Sequence, residues 1–253
     1  MKIVLIGAGN LATNLGKALR HAGHDIVQVF SRTAESADAL AHILQCPSTT
    51  CLSDVSLDAD VCILSVKDSA LADIASQVLP GREHMLFLHT AGSMPMDVFA
   101  AGRRGVFYPM QTFSKIREVD FRCIPCFVEA SSADDLECVR RLASTVSDRV
   151  YHLTSDQRKY LHVAAVFCCN FVNHCYAQTE SLLKEHDIPF DVMLPLIDES
   201  AAKVHVLSPR EAQTGPAVRW DENVIARHES MLQGTALDIY HLMSHAIHEM
   251  QKK

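Results

Sequence analysis

The sequence predicts an α/β protein, with a doubly wound parallel-sheet domain first and an all-helical domain after it. Three observations lead there. Short aliphatic runs alternate with amphipathic stretches over roughly the first 150 residues, a pattern that builds right-handed strand–helix–strand units. A glycine-rich turn follows the very first apolar run. After Thr154 strand patterning stops and only helical periodicity continues. A boundary is therefore expected near residue 153, giving domains 1–153 and 154–253.

Taken in order, Lys2–Ile6, Asp25–Phe30, Val61–Ser65 and Met85–His89 read as strands, being β-branched or aliphatic runs bounded by turn residues. Between them, 10–22, 34–44 and 68–79 carry apolar residues at helical spacing. Gly105–Phe107 and Cys126–Glu129 are further strands, with a helix over 133–146. Ser155 to Glu185 reads as one long helix.

Composition narrows the function classes. The 253 residues are 48% hydrophobic and 21% charged, ordinary values for a globular chain. A net charge of -7, without any Lys/Arg run, argues against a nucleic-acid partner. The longest apolar stretch, 161–172, falls short of the roughly 18 residues of a membrane span and contains Asn170. No secretory leader pattern is visible, because the first apolar run meets Gly7 almost at once. Nine scattered cysteines, several inside apolar segments, fit free thiols in a reducing compartment. A cytoplasmic protein without a membrane span is the expectation.

The chemistry begins at Gly7-Ala8-Gly9-Asn10-Leu11-Ala12, set between the first strand and the first helix. In that context the motif is the Rossmann dinucleotide fingerprint. Gly7 makes the tight turn, Gly9 lets backbone approach the pyrophosphate, and Ala12 takes the small-residue position for close packing. The helix start then offers unpaired N–H groups and partial positive charge to phosphate. The second strand leads into Ser31-Arg32 rather than the Asp or Glu that binds ribose hydroxyls in an NAD site. A hydroxyl and a guanidinium suit a 2′-phosphate, so NADP is the expected cofactor. The alternative is a solvated Arg32 that merely stacks on adenine. Ser65-Val66-Lys67 and Thr90-Ala91-Gly92 follow two further strands at carboxyl ends, where ligands collect, and the second trio would flank the nicotinamide. His89 is either an acid–base group or a hydrogen-bonded structural residue.

With these residues in view, the N-terminal half resembles the 6-phosphogluconate dehydrogenase-like superfamily, which includes pyrroline-5-carboxylate reductase and ketopantoate reductase. The whole chain is similar to one branch of it, Rossmann-like NADP oxidoreductases with a C-terminal helical domain of unknown function. Tyr108-Pro109-Met110-Gln111-Thr112-Phe113-Ser114, Asn170-Phe171-Val172-Asn173, Pro195-Leu196-Ile197 and the run from Ala212 to Arg219 carry that likeness along the full length. The resemblance implies a C-terminal domain that dimerises and closes one side of the cleft; it supplies no substrate.

On the long helix, His162, Val166, Asn170 and Asn173 fall at i, i+4, i+8 and i+11, one face of a regular α-helix. Asn170 and Asn173 then stand as amides in an apolar setting that would orient a substrate, or would bond backbone at an interface. Hydroxyacid dehydrogenases of the superfamily use a helix lysine as general acid. Here Lys159 lies three residues before His162, on a neighbouring face. Gln213-Thr214-Gly215-Pro216 reads as a loop entering a helix, Thr214 capping and Pro216 in the first turn. Such a terminus with Arg219 would seat a carboxylate; the alternative is a simple cap and a surface arginine. Cys123 and Cys126 form a single CxxC without a second pair, and His241, His245 and His248 form a stripe without a carboxylate or thiolate, so no metal is expected.

The expectation is an NADP-dependent oxidoreductase passing hydride to or from a small carboxylate-bearing substrate, with Asn170, Asn173, His89 and Thr214 as catalytic candidates, assembled as a homodimer. The alternative is a catalytically silent NADP-binding sensor or scaffold.

Overall fold

The structure, a computed structural model, describes residues 1–252. It divides into two compact units, Met1–Asn170 and the part from Phe171 on. The helix that begins at Ser155, just past the expected boundary, thus starts within the sheet unit.

The sheet unit holds eight strands: β1 (Lys2–Ile6), β2 (Asp25–Phe30), β3 (Ser48–Thr49), β4 (Val61–Leu64), β5 (Leu86–His89), β6 (Arg104–Pro109), β7 (Cys126–Ala130) and β8 (Val150–His152). Their order is β3-β2-β1-β4-β5-β6-β7-β8. The first six run parallel; β7 pairs antiparallel with β6, and β8 parallel with β7. The strand order reverses direction beside β1, so a crevice opens at the carboxyl ends of β1 and β4. Helices α1 (Asn10–His21), α2 (Ala34–Leu44), α3 (Asp68–Val78) and α4 (Ala133–Ser144) cover the faces.

Alternation along β1 divides the core between those faces. Ile3 and Leu5 join Leu15, Leu19, Leu44 and Leu142, whereas Val4 and Ile6 join Leu71, Ile74, Val78 and Phe99. Burial on both faces explains why the parallel strands read as unbroken aliphatic runs. The parallel-sheet expectation needs one correction, since β7 and β8 run against the first six strands.

Thr154 starts α5 (Ser155–Ala165) with a capping box, its side chain accepting from the Gln157 backbone while the Gln157 side chain returns to the Thr154 N–H. The expected unbroken α-helix is interrupted at Val166–Phe171, which is π-helical, before α6 (Val172–Lys184).

The second unit is wholly helical among the described residues. After α6 come α7 (Leu194–Lys203), two single turns, α8 (Pro209–Ala212) and α9 (Pro216–Arg219), then α10 (Glu222–Glu229) and α11 (Gly234–Lys252). A hydrogen bond of 2.9 Å between His228 Nδ1 and Tyr240 Oη ties α10 to α11. Trp220, just after α9, packs its indole on His245 and His248 at 4.8 and 4.7 Å between ring centres. The histidine stripe is thus engaged in ring packing, and His241 lies 3.5 Å from Glu229. Among the described residues no helix is long and apolar enough to cross a membrane.

Candidate functional site

A cleft of about 700 Å³ opens at the carboxyl ends of the parallel strands. It gathers Gly7 to Leu11 after β1, Ser31 and Arg32 after β2, Ser65 to Lys67 after β4, and Thr90 to Gly92 after β5. Thirteen of the fourteen residues expected to hold the cofactor therefore line one surface. The fourteenth, Ala12, does not line it; it is fully buried in the core, the packing role its small side chain suits.

The turn after β1 is built for backbone approach. Gly7 has φ +114, and a Cβ there would lie 2.2 Å from the Ser65 carbonyl oxygen, so any side chain would drive β1 and β4 apart. A Cβ on Gly9 would meet nothing within 4 Å. Space is left above the start of α1, where the first N–H groups have no helical acceptor. A dinucleotide pyrophosphate fits that cradle. At the far end Ser31 and Arg32, joined by Ser36 from the first turn of α2, line the cleft with hydroxyls and a guanidinium.

Side chains of α1 hold the 108–114 segment at the cleft's rim. Asn10 Nδ2 donates to the Phe113 carbonyl at 3.0 Å and Asn14 Nδ2 to that of Ser114 at 3.0 Å. Phe113 stacks on Phe121 at 5.9 Å. Tyr108, on β6, meets His162, on α5, across the cleft wall: Tyr108 Oη lies 3.2 Å from His162 Nδ1, and both side chains line the cleft. Burial raises the Tyr108 hydroxyl above the usual tyrosine range, partly opposed by the nearby Arg158 charge.

The helix that carries His162 is anchored by a buried polar cluster. Arg158, one turn earlier, is fully buried and donates to Glu129 on β7 at 2.6 Å and to the Met94 carbonyl at 2.6 Å. Ser155 donates from both its backbone N–H and its hydroxyl to the same Glu129, at 2.9 and 2.8 Å, and accepts from the Met96 N–H. These bonds fix the rotation of α5 against β7 and the loop after β5.

Several expectations change. His89 is not among the cleft-lining residues; its ring is fully buried. Its Nδ1 accepts from the Ala91 N–H at 3.2 Å and its Nε2 lies 3.3 Å from the Pro95 carbonyl, so both nitrogens are used in holding the turn. Burial, with the Arg158 charge adding to it, drives its pKa down to about 3. A group so hard to protonate serves as a structural tie rather than an acid.

Asn170 and Asn173 are exposed in the chain rather than enclosed by apolar neighbours. The π-helical segment takes about one more residue per turn than an α-helix, so the i+8 count that aligned Asn170 with His162 fails. Thr214 is exposed and caps nothing: Gly215, at φ +106, is the N-cap, and it has no side-chain cap. The helix it opens is a single turn ending at Arg219, too short for much macrodipole at its start. Gln213 is half-buried, its amide donating to the Thr214 carbonyl, and Arg219 is exposed. Lys159 is exposed and paired with Asp156 at 3.0 Å, away from the cleft lining.

Tyr108, Gln111, Ser36 and Asp68 line the cleft but were not expected as site residues, whereas His162 lines it as the first residue of the expected stripe. Tyr108 closes β6, so the rule that ligands gather at strand carboxyl ends could have found it. Among the described residues no three His, Cys, Asp or Glu side chains gather as a metal site, and all nine cysteines are free.

Residues 2–87 match the family described as NADP oxidoreductase, coenzyme F420-dependent, and residues 124–247 match DUF2520, a domain of unknown function. A crystal structure of a Bacteroides fragilis protein named as a candidate NADP oxidoreductase is 56% identical, covers 98% of each chain and superimposes with a TM-score of 0.95. The chain belongs to this NADP oxidoreductase family. Its fold is also that of a Myxococcus stipitatus imine reductase in complex with NADP+, at 14% identity over 100% of this chain and 93% of that one, TM-score 0.68. A Coxiella burnetii pyrroline-5-carboxylate reductase shares it too, at 17% identity over 99% and 97%, TM-score 0.60. No curated protein matches the chain. NADP, the cofactor expected from Ser31-Arg32, is the family's cofactor, and the fold is the one the resemblance implied.

Proposed function

We propose that the protein passes hydride between NADP and a small carboxylate-bearing substrate. One observation carries this reading: a single cleft joins a phosphate cradle, a hydroxyl–guanidinium end and, past Gly92, a hydrogen-bonded Tyr–His pair. A protein that only held the nucleotide would need the first two. The bound cofactor supplies the redox chemistry, and the chain orients the reactants and tunes the charge around them. The Thr90–Gly92 loop borders the nicotinamide. Asn170 and Asn173, exposed and able to turn toward a ligand, orient the substrate. Gln213, Thr214 and Gly215 with Arg219 meet its carboxylate, now through side chains and a half-buried glycine turn rather than a helix terminus.

Residues 154–253 act as the substrate and dimerisation domain of a homodimer. Their many exposed large apolar side chains support this, for a second copy would cover them. Nine free cysteines support a cytoplasmic location.

The test is direct. NADPH and NADH are titrated against the protein by fluorescence, and NADPH consumption is followed with cyclic imines and 2-oxo acids. Tighter NADPH binding and turnover of at least one class are expected. Tight binding without turnover across both classes would hand the case to a silent NADP sensor.

A further inference from the structure

Within that hydride-transfer reading, we infer that His162 is the proton-exchanging residue of the cleft and that Tyr108 holds its ring in register. Nothing in the sequence marks the pair, because 54 residues separate its members. The fold brings them together at the end of the cleft lined by the loop after β5. A Cβ on Gly92 would lie 2.5 Å from His162 Nδ1 and 2.9 Å from Tyr108 Cζ. Only glycine lets that loop press its backbone against both rings. The two rings meet edge to face at 6.2 Å, so the imidazole has little freedom to swing.

The cluster behind α5 makes the placement rigid. Arg158 and His162 are one helical turn apart and share a face. Arg158 is locked between Glu129 and the Met94 carbonyl, so α5 cannot turn to carry His162 away without tearing out a buried ion pair. Four candidates for proton exchange fall away in turn. His89 is buried and fully bonded, Lys159 is paired at the surface, Asp68 accepts from Ser93, and Tyr108 holds its proton more tightly than a free tyrosine.

The proton path follows from the atoms. His162 Nδ1 and Tyr108 Oη share one hydrogen bond, which leaves Nε2 without a protein partner among the described residues. In the reductive direction bound NADPH would supply hydride to a C=N or C=O carbon of the substrate. The π pair moves onto the heteroatom, and the heteroatom takes the Nε2 proton; solvent then reprotonates the ring. The reverse reaction uses neutral His162 as the base. Tyr108 from β6 faces the ring, and the charged or titratable groups near Tyr108 are Arg158, paired with Glu129 from β7, and Cys168 in the π-helical segment. Lys67 and Asp68 line the same cleft.

Two readouts test this on the full-length protein. The first is substrate-free: with NADP+ saturating, the His162 ring signals are identified by NMR through their loss in His162→Gln. Tyr108→Phe should move the Nδ1 signal, because that nitrogen loses its hydrogen-bond partner. The second is NADPH-driven reduction of 1-pyrroline and of pyruvate. His162→Gln should lower kcat by about a hundred- to ten-thousandfold, and Tyr108→Phe by about tenfold, with NADPH affinity within about twofold of the parent for both. An active parent with an equally active His162→Gln variant overturns the assignment while leaving the hydride-transfer reading intact. A His162 Nδ1 signal indifferent to Tyr108→Phe overturns the positioning role. A parent that binds NADPH yet reduces neither compound overturns the assignment together with the reading beneath it.

Discussion

The two units of this chain bury their apolar residues to very different degrees. In the sheet unit, strands β1, β4 and β5 are almost wholly buried, and helices lie on both faces of the sheet. Past Phe171 the buried apolar residues among those described are Leu183, Ala217 and Ile225 alone. Leu196 is 63% exposed, Leu242 71% and Val206 81%. Both stretches are rich in hydrophobic residues, so composition does not separate them; closure does. A sheet with helices on two faces is self-sufficient, whereas a set of short helices offers more apolar surface than it can cover by itself. The difference teaches that cofactor recognition is a property of a finished unit, while the helical unit is finished by something further, proposed here to be a second copy.

The sharpest way to break the first half of that comparison is to remove a charge from inside the sheet unit. Arg158→Met leaves Glu129 in a nearly buried site with no cation beside it. Breaking a buried pair from one side typically costs about 3–5 kcal/mol. Urea unfolding should register that loss, and Arg158→Met combined with Glu129→Gln should recover part of it. If the single variant unfolds at the parent midpoint, the cluster does not anchor α5.

A smaller effect comes from acid. The folded-state pKa of His89 is depressed to about 3 from 6.5, chiefly by burial. Between those values the unfolded chain binds a proton that the native chain refuses. Stability from this group is therefore complete above pH 6.5 and declines as pH falls toward 3. By pH 4 the loss amounts to about 3 kcal/mol at most. His89→Gln should flatten the stability curve over that window in thermal unfolding from pH 7 to pH 4. A curve as steep as the parent's would mean another group sets the acid limb.

These two residues also show what can be read from sequence. The cradle from Gly7 to Ala12 was legible because its chemistry is local: backbone, a turn and a helix start in consecutive residues. Ser31-Arg32 was legible for the same reason. Strands β3 and β8, two and three residues long, carry too little pattern to register. The antiparallel turn into β7 leaves no mark on a burial pattern that looks alike in either direction. His89 was readable as a polar strand end, but its tie to Pro95 depends on where the next loop folds. The expected stripe through Asn170 assumed a regular helix, and the π-helical segment broke the count. Tyr108 with His162, and Arg158 with Glu129, are pairings made by the fold across long sequence separations, invisible to any local rule.

The second half of the comparison can be broken at the surface. Leu242→Lys and Ile116→Lys place the same charge on two exposed apolar positions, one in each unit; Ile116 is 98% exposed. If a second copy covers the helical unit, Leu242→Lys forfeits about 1.5–3 kcal/mol of burial per site. Each site alone weakens assembly by about ten- to a hundredfold, the two sites compound, and sedimentation should show the dimer dissociating at micromolar concentration. Ile116→Lys should sediment as the parent does. Identical behaviour of the two variants would put the partner surface elsewhere.

The finest test asks whether cofactor choice belongs to the sheet unit alone. Arg32 and Arg219 are both exposed arginines, and both were expected to meet an anion. Arg32 stands at the end of β2 beside Ser31 and Ser36, in a cleft formed wholly by residues before Asn170. Its guanidinium can take a 2′-phosphate with paired, charge-assisted hydrogen bonds. Because it is solvated before binding, Arg32→Ala should weaken NADPH by only about 1–2 kcal/mol, the lower part of the range for charged hydrogen bonds. NADH affinity should hardly change, since that cofactor carries no 2′-phosphate. Arg219→Ala should leave both cofactors alone and raise KM for a carboxylate substrate instead. Isothermal titration of the two variants with the two cofactors decides it. A loss of NADPH affinity in Arg219→Ala matching that in Arg32→Ala would mean the helical unit reaches the cofactor, and the cradle would no longer count as complete in itself.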